Sequence, residues 1–322
     1  MREGESPFEG WRHEYYSARY LEYASDAELL ERADAVLGNT LAMLDYYRFE
    51  GLRASLPDEE WVRALTELRL EFALRGRTFP PSRSFVRQAR PYSCSPAALR
   101  SAEAVVRGYS RPGGPVLVRY LNRRHAHSLA VEGILRLTPA ISYRDHSLDA
   151  ARHDDEILRW LQNGPMGVRL THALSGRTTS FTQTISYGGS CGTDYYLVSL
   201  SRALNPYLFF AFGVNACVVI KDPDGFFAAL EETLRKELSG PWRLLRRVVD
   251  YVDPWPADPP DRDFQCSWDL HFIKDYRFAY QQEVRLVVAP EFPLLDALSP
   301  INVSLDQPSR YCDLLVLPEN AS

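Results

Sequence analysis

The hydrophobic period of this chain changes once, near residue 110, and that change limits its fold more than any other feature. Before it, apolar residues recur at helical spacing. Ser25 stands as an N-cap ahead of Asp26-Ala27-Glu28, and Leu29, Leu30, Ala33, Val36 and Leu37 follow, with the pattern continuing through Leu41, Met43 and Leu44. Pro57 suits a first helical turn, acids follow it, and Trp61, Leu65, Leu68 and Phe72 line one face. A third helix is expected from Ser95-Pro96 through Val106. The tract Ser110-Arg111-Pro112-Gly113-Gly114-Pro115 then reads as a loop. Beyond it lie short β-like runs at 116–120, 134–137, 195–201, 216–220, 248–252 and 283–288. A short helix ended by Gly133 and a second one starting after Asp222-Pro223-Asp224-Gly225 interrupt them. The expected class is α+β, with an all-α N-terminal module over residues 1–110 and an α+β domain over 111–322.

Charge and cysteine usage narrow the function. Lys plus Arg number 37 and Asp plus Glu 42, a net charge of −5, which suits sequence-blind polyanion binding poorly but leaves room for a local basic patch. No apolar run is long enough to span a bilayer, and the opening Met1-Arg2-Glu3-Gly4-Glu5-Ser6-Pro7 has no apolar core, so neither a membrane segment nor a secretory signal is expected. The cysteines, Cys94, Cys191, Cys217, Cys266 and Cys312, are odd in number, scattered and free of CxxC, which reads as reduced thiols in a cytoplasmic protein.

Several local patterns invite a chemical reading. Tyr187-Gly188-Gly189-Ser190-Cys191-Gly192 reads as a glycine-rich loop, without a GxGxxG or P-loop pattern. G-x-S-x-G is absent, which counts against an α/β-hydrolase. His125, His127, His146 and His153-Asp154-Asp155-Glu156 are metal-ligand types, but no third ligand stands at a fixed spacing, and no metal is expected. The run Arg243-Leu244-Leu245-Arg246-Arg247 reads as a cationic helix end or a phosphate contact. Trp255, Trp268 and Tyr276 beside Arg277 have the composition of a base-stacking surface. In the stretch 280–288, Gln281 and Glu283 stand two apart, and strand alternation would place them on one face. There the carboxylate would stabilise a cationic sugar while the amide positions an acceptor. An edge strand with polar residues facing water has the same pattern.

Gln281-Gln282-Glu283 before an apolar strand resembles the Q/E-x-E element of the mono-ADP-ribosyltransferases. The tract 193–208 is similar to the central stretch of the DarT-like members, and Ser199-Leu200-Ser201 resembles the S-T-S strand of the superfamily, with leucine where threonine is usual. Arg119-Tyr120-Leu121-Asn122, a helix, then Gly133-Ile134-Leu135 resembles the opening strand, helix and second strand of that fold. Uncharacterised bacterial proteins found near abortive-infection genes look similar in the same places, including the stretch Lys274-Asp275-Tyr276-Arg277-Phe278. The likeness covers about 115–295 and leaves out the N-terminal helices.

The resemblance implies a split-sheet domain, NAD as co-substrate and a macromolecular acceptor, nucleic acid or protein. It also implies a toxin or anti-phage effector, with an antitoxin or other partner protein. Glu283 would be the catalytic glutamate and Gln281 would face the acceptor. Arg119 with its neighbour Tyr120 would bind the cofactor, and Ser199 and Ser201 would support the cleft. Arg144, in Tyr143-Arg144-Asp145, competes with Arg119 for the cofactor role, and the sequence does not choose. Two rival readings stand beside it. One is a catalytically inactive binding or regulatory module of the same fold, and the other a metal-dependent nuclease or hydrolase built on the His/Asp cluster.

Overall fold

The computed structural model describes residues 7–50, 59–79, 92–110, 116–144, 158–163, 168–171, 175–181, 185–190, 193–253, 255, 267–292 and 297–318. Its first part is helical: α1 Pro7–Ala18, α2 Asp26–Glu50, α3 Glu59–Leu74 and α4 Pro96–Gly108. Then come β1 Leu117–Leu121, α5 Arg123–Ala130, β2 Ile134–Pro139, β3 Leu158–Asn163, β4 Val168–Thr171, β5 Thr178–Phe181, β6 Ile185–Ser190 and β7 Tyr196–Ser201. The remainder is α6 Pro206–Ala211, β8 Ala216–Ile220, α7 Pro223–Glu237, β9 Trp242–Val248, β10 Asp250–Val252, β11 Ile273–Asp275, β12 Glu283–Pro290, β13 Ile301–Ser304 and β14 Cys312–Val316. The class is α+β, as expected.

Helix starts follow local chemistry. Ser25 and Glu28 form a reciprocal capping box at α2, with the Ser25 N–H donating to the Glu28 carboxylate at 2.7 Å and the Glu28 N–H to Ser25 Oγ at 3.3 Å. Ser95 caps α4 and Asp222 caps α7, each with proline in the first turn. Gly133 ends the α5 connection at φ +76°, and a Cβ there would lie 2.2 Å from the carbonyl oxygen of Leu305, so only glycine fits.

The main sheet runs β13-β2-β7-β1-β8-β14, with β12 paired to β7 and β9 to β12. Its pairings are antiparallel. β12 pairs along the length of β7, from Glu283 opposite Ser201 to Val288 opposite Tyr196. A strand has two edges, so β1 and β2 share the other one. β1 meets β7 only at Val118 opposite Ser201, and β2 only at Thr138 opposite Leu197 and Pro139 opposite Tyr196. The two strands diverge, and the sheet forks beside Ser199 and Leu200.

One face of the sheet packs under α5 and α7, through residues such as Leu129, Phe226 and Leu230. The other packs Val118, Cys217 and Val219 against Phe49 of α2, Ala102 and Val106 of α4, and Phe209 of α6. The N-terminal helices therefore share a core with the strands. Among the described residues, no helix is long and apolar enough to cross a membrane.

Two local expectations are corrected. Residues 243–247 do not end a helix: they lie in β9, where guanidinium groups sit over aromatic rings, Arg246 over Phe227 and Arg247 over Phe272. Tyr187 to Ser190 is not a loop but the end of β6, paired with β3, and Cys191 lies outside the described residues.

Candidate active site

A cavity of about 530 Å³ opens in the fork. That volume is ordinary for a small-molecule site, which commonly spans about 300–1,000 Å³. Its walls bring together Arg119 and Tyr120 of β1, Ser199 and Ser201 of β7, and Gln281 and Glu283. Arg144 closes the 3-10 turn Ala140–Arg144 after β2. Its neighbours Ser142 and Tyr143 line the cavity, and its own side chain lies outside the described part.

Strand register explains how the floor is built. Glu283 sits opposite Ser201 and Arg285 opposite Ser199, so alternation turns all four side chains to one face. Glu283 is 3 % exposed. Its Oε1 accepts from Arg285 Nε at 2.8 Å and its Oε2 from Lys274 Nζ at 3.0 Å. Burial alone would raise its pKa. The charges of Arg285 and Lys274, with a hydrogen bond from Ser199, outweigh burial and hold the carboxyl well below the usual carboxylate range. Glu283 is therefore an ionised, oriented carboxylate.

Gln281 reaches the same point by a route that strand alternation does not describe. It ends a 3-10 turn, Tyr276–Gln281, and β12 starts only at Glu283. Gln282 between them is left-handed, with φ 48°. Lys274 closes the gap, since its Nζ also donates to Gln281 Oε1 at 2.9 Å. Ser201 braces the turn: its hydroxyl donates to the Gln281 carbonyl at 2.8 Å and accepts from the Ala203 N–H at 3.1 Å. The Tyr120 hydroxyl is likewise bonded to backbone, accepting from the Asn205 N–H at 2.8 Å with the carbonyls of Ala203 and Asn205 each at 3.0 Å, so the ring rather than the hydroxyl serves the cavity.

Arg119 lies across the fork. Its Nη2 makes a long 3.4 Å contact to the Arg136 carbonyl of β2, and its Nη1 is buried with no hydrogen-bond partner among the described residues. Atoms crowd the guanidinium on most sides, and burial lowers its pKa, yet it keeps some exposed surface because one side faces the cavity. It remains charged, as arginine does in proteins. Arg124, Arg136 and Lys274 also line the walls, Glu283 is the acid among the lining residues, and Arg285 stands directly behind it. Among the described lining residues of this net-acidic chain, positive charge therefore exceeds negative. A donor set with an orphaned guanidinium nitrogen fits a phosphate-bearing ligand, NAD included.

Lys274 and Arg285 are the residues that pattern reading did not assign. Each was visible only as a charge inside an apolar or aromatic run, a signal that a burial-paired ion leaves without naming its partner. Trp255 and Tyr276 are buried against α1, α2 and α3, so they do not form a base-stacking surface, and the Trp268 side chain lies outside the described part. His125 lines the cavity and His127 pairs with Glu132 at 3.3 Å, whereas His146 and His153 lie outside the described residues. Among the described residues, no group of three or more His, Cys, Asp or Glu side chains is placed to hold a metal. Comparison with protein-family models, with curated proteins and with solved structures found no match.

Proposed function

We propose that this chain is an NAD-dependent mono-ADP-ribosyltransferase acting on a macromolecular acceptor, nucleic acid or protein. The observation that carries the reading is an ionised, buried Glu283 on the floor of a cation-rich cavity, at the place where β1 and β2 split apart. A forked sheet with a serine-bearing strand beside the glutamate strand is the arrangement that the split-sheet reading calls for.

A carboxylate offers about four lone-pair positions. Arg285, Lys274 and Ser199 occupy three sides of Glu283, which leaves one for a ribose hydroxyl of the nicotinamide nucleoside. Arg119 and the wall cations would hold the diphosphate. Glu283 then faces the sugar as the C–N bond to nicotinamide breaks. The bonding pair leaves with nicotinamide, positive charge grows on the ribose, and a fixed carboxylate favours that charged state over the ground state. An acceptor nucleophile placed by Gln281 bonds the anomeric carbon and loses its proton to solvent, while nicotinamide departs neutral. With this reading we also propose the role that the resemblance implies, a cytoplasmic toxin or anti-phage effector held by an antitoxin or other partner protein.

A second reading has one specific observation behind it. Both Glu283 oxygens are already engaged by cations, as they would be in a module that binds NAD or another diphosphate without cleaving it. Isotope-labelled NAD incubated with the protein and cellular macromolecules separates the two. Mass spectrometry showing added ADP-ribose supports the transferase. A thermal shift with millimolar NAD but no adduct and no nicotinamide supports the module. No shift and no adduct reject both.

A further inference from the structure

The middle of α2 breaks the rules of a good helix. Gly38, Asn39 and Thr40 are three weak helix formers in a row, and all are buried. A buried amide is costly unless its hydrogen bonds are met. Asn39, with no exposed surface, meets them mostly outside its own helix. The two hydrogens of its Nδ2 are shared among three carbonyls, those of Tyr276 and Arg277, each at 3.1 Å, and that of Ala35 at 2.9 Å. Its Oδ1 accepts from the Tyr280 N–H at 2.7 Å. Three of these four bonds hold the 3-10 turn that carries Gln281. Such turns have poorer internal hydrogen-bond geometry than α-helices, so outside anchors decide their position.

The contacts continue to the cavity floor, from the turn to Gln281, from Gln281 to Lys274 and from Lys274 to Glu283. The helical layer adds apolar support: Ala42 packs with Phe278 and Tyr280, and Trp61 stacks on Tyr276 at 5.9 Å. Glu283 has anchors that do not depend on α2, namely its ladder to β7 and its bond to Arg285. Loosening Asn39 therefore releases Gln281 while leaving Glu283 in place.

We infer that Asn39 is a positioning residue for the acceptor-facing turn, and that through it the helical layer sets how NAD cleavage divides between transfer and hydrolysis. This rests on the transferase reading of the cavity. The variants Asn39→Ala and Asn39→Asp test it. The second keeps an acceptor for the Tyr280 N–H but loses the donor to Tyr276 and Arg277. Thr40→Val is the control, because the Thr40 hydroxyl bonds within its own helix, to Val36.

In hydrogen exchange on the full chain, amides of 276–282 exchange about tenfold faster in Asn39→Ala, while those of 284–290 and of the control do not change. With adenosine-labelled NAD and an extract of total cellular macromolecules, the ratio of bound to free ADP-ribose falls on the order of ten- to a hundredfold, at unchanged KM for NAD. Asn39→Asp falls between Asn39→Ala and wild type. Unchanged exchange at 276–282, or transfer and cleavage falling together, overturns the inference. Wild-type protein that neither cleaves nor transfers would defeat the transferase reading instead. Exchange then decides alone: a rise confined to 276–282 upholds the positioning role, and no rise overturns it.

Discussion

Among the described residues, the helical layer and the cavity floor each bury a carboxylate network, and the two networks behave differently. In the helical layer, Glu71 accepts from the Tyr15 hydroxyl at 2.6 Å, from Arg19 at 3.1 Å and from Arg75 at 2.6 Å, and Glu67 accepts from the Tyr20 hydroxyl at 2.6 Å and from Arg63 at 2.9 Å. Each arginine there meets a second carboxylate: Arg19 meets Glu22, Arg63 meets Glu14 and Arg75 meets Asp26. Arg32 joins that network through the Tyr20 hydroxyl and Asp253, and its buried Nε has no hydrogen-bond partner among the described residues. On the cavity floor, Lys274 and Arg285 share Glu283, and across the fork Arg119 likewise has a buried nitrogen, Nη1, with no hydrogen-bond partner among the described residues, but its guanidinium faces the cavity. Burial and ion pairing occur in both, so neither marks function by itself. The mark is surplus positive charge facing an open volume.

Substitutions should separate the two networks. The largest effect on stability belongs to the network of the helical layer. Glu71→Ala leaves the buried Tyr15 hydroxyl without its acceptor and removes one partner each from Arg19 and Arg75, and should cost about 1–3 kcal/mol in denaturant unfolding. NAD affinity of the folded protein should not change. Loss of NAD binding in a folded Glu71 variant would erase the distinction.

Arg119→Ala should act in the opposite sense. NAD should bind more weakly by about 1.5–3 kcal/mol, as for a lost charged hydrogen bond, with thermal stability kept or slightly raised because an unpartnered buried nitrogen is gone. A smaller contrast lies within β7. Ser199→Ala should reduce turnover by about 1 kcal/mol in barrier with little effect on folding. Ser201→Ala should mainly loosen the turn, since its hydroxyl joins Gln281 to Ala203.

The pH dependence sharpens the same comparison. Glu283 and Glu71 both have pKa values below their ordinary ones, in each case because cationic and hydroxyl partners outweigh burial. A folded pKa below the unfolded value of about 4.3 gives stability that is fully present above that pH and lost as the pH falls below it. Both networks should weaken in the same acid window. Activity should follow the loss of folded protein, followed by circular dichroism alongside turnover. A separate loss of activity near pH 4–5 in protein that stays folded would mean that Glu283 is not held ionised.

Much of this was legible in the chain itself. The switch from helical to short β-like runs and the helix starts at Ser25 and Ser95 follow from local pattern, whereas the pairing of the Ser199 and Ser201 strand with the Glu283 strand is a long-range register that local pattern does not carry. Gln281 reached the cavity for another reason than the spacing suggested, because a left-handed residue and a lysine bridge are invisible to strand alternation. The basic run at 243–247 looked like a helix end because arginine suits both settings, and only its neighbours across β12 make it a strand. Asn39 is, in sequence, no more than a weak helix former inside α2, and nothing there singles it out. Its purpose depends on a turn more than two hundred residues further along the chain, and no local pattern carries that distance.

The central claim is that Glu283 acts on the bond being broken and is not there merely to balance charge. Nicotinamide release from NAD by wild type and Glu283→Gln, each checked for folding and for NAD affinity, tests it most directly. The account predicts that the variant binds NAD at least as tightly, having lost a negative charge from a cationic cavity. It also predicts release slowed on the order of a hundred- to a thousandfold, the loss seen when one transition-state contact is removed. A folded Glu283→Gln protein that releases nicotinamide at the wild-type rate would contradict it.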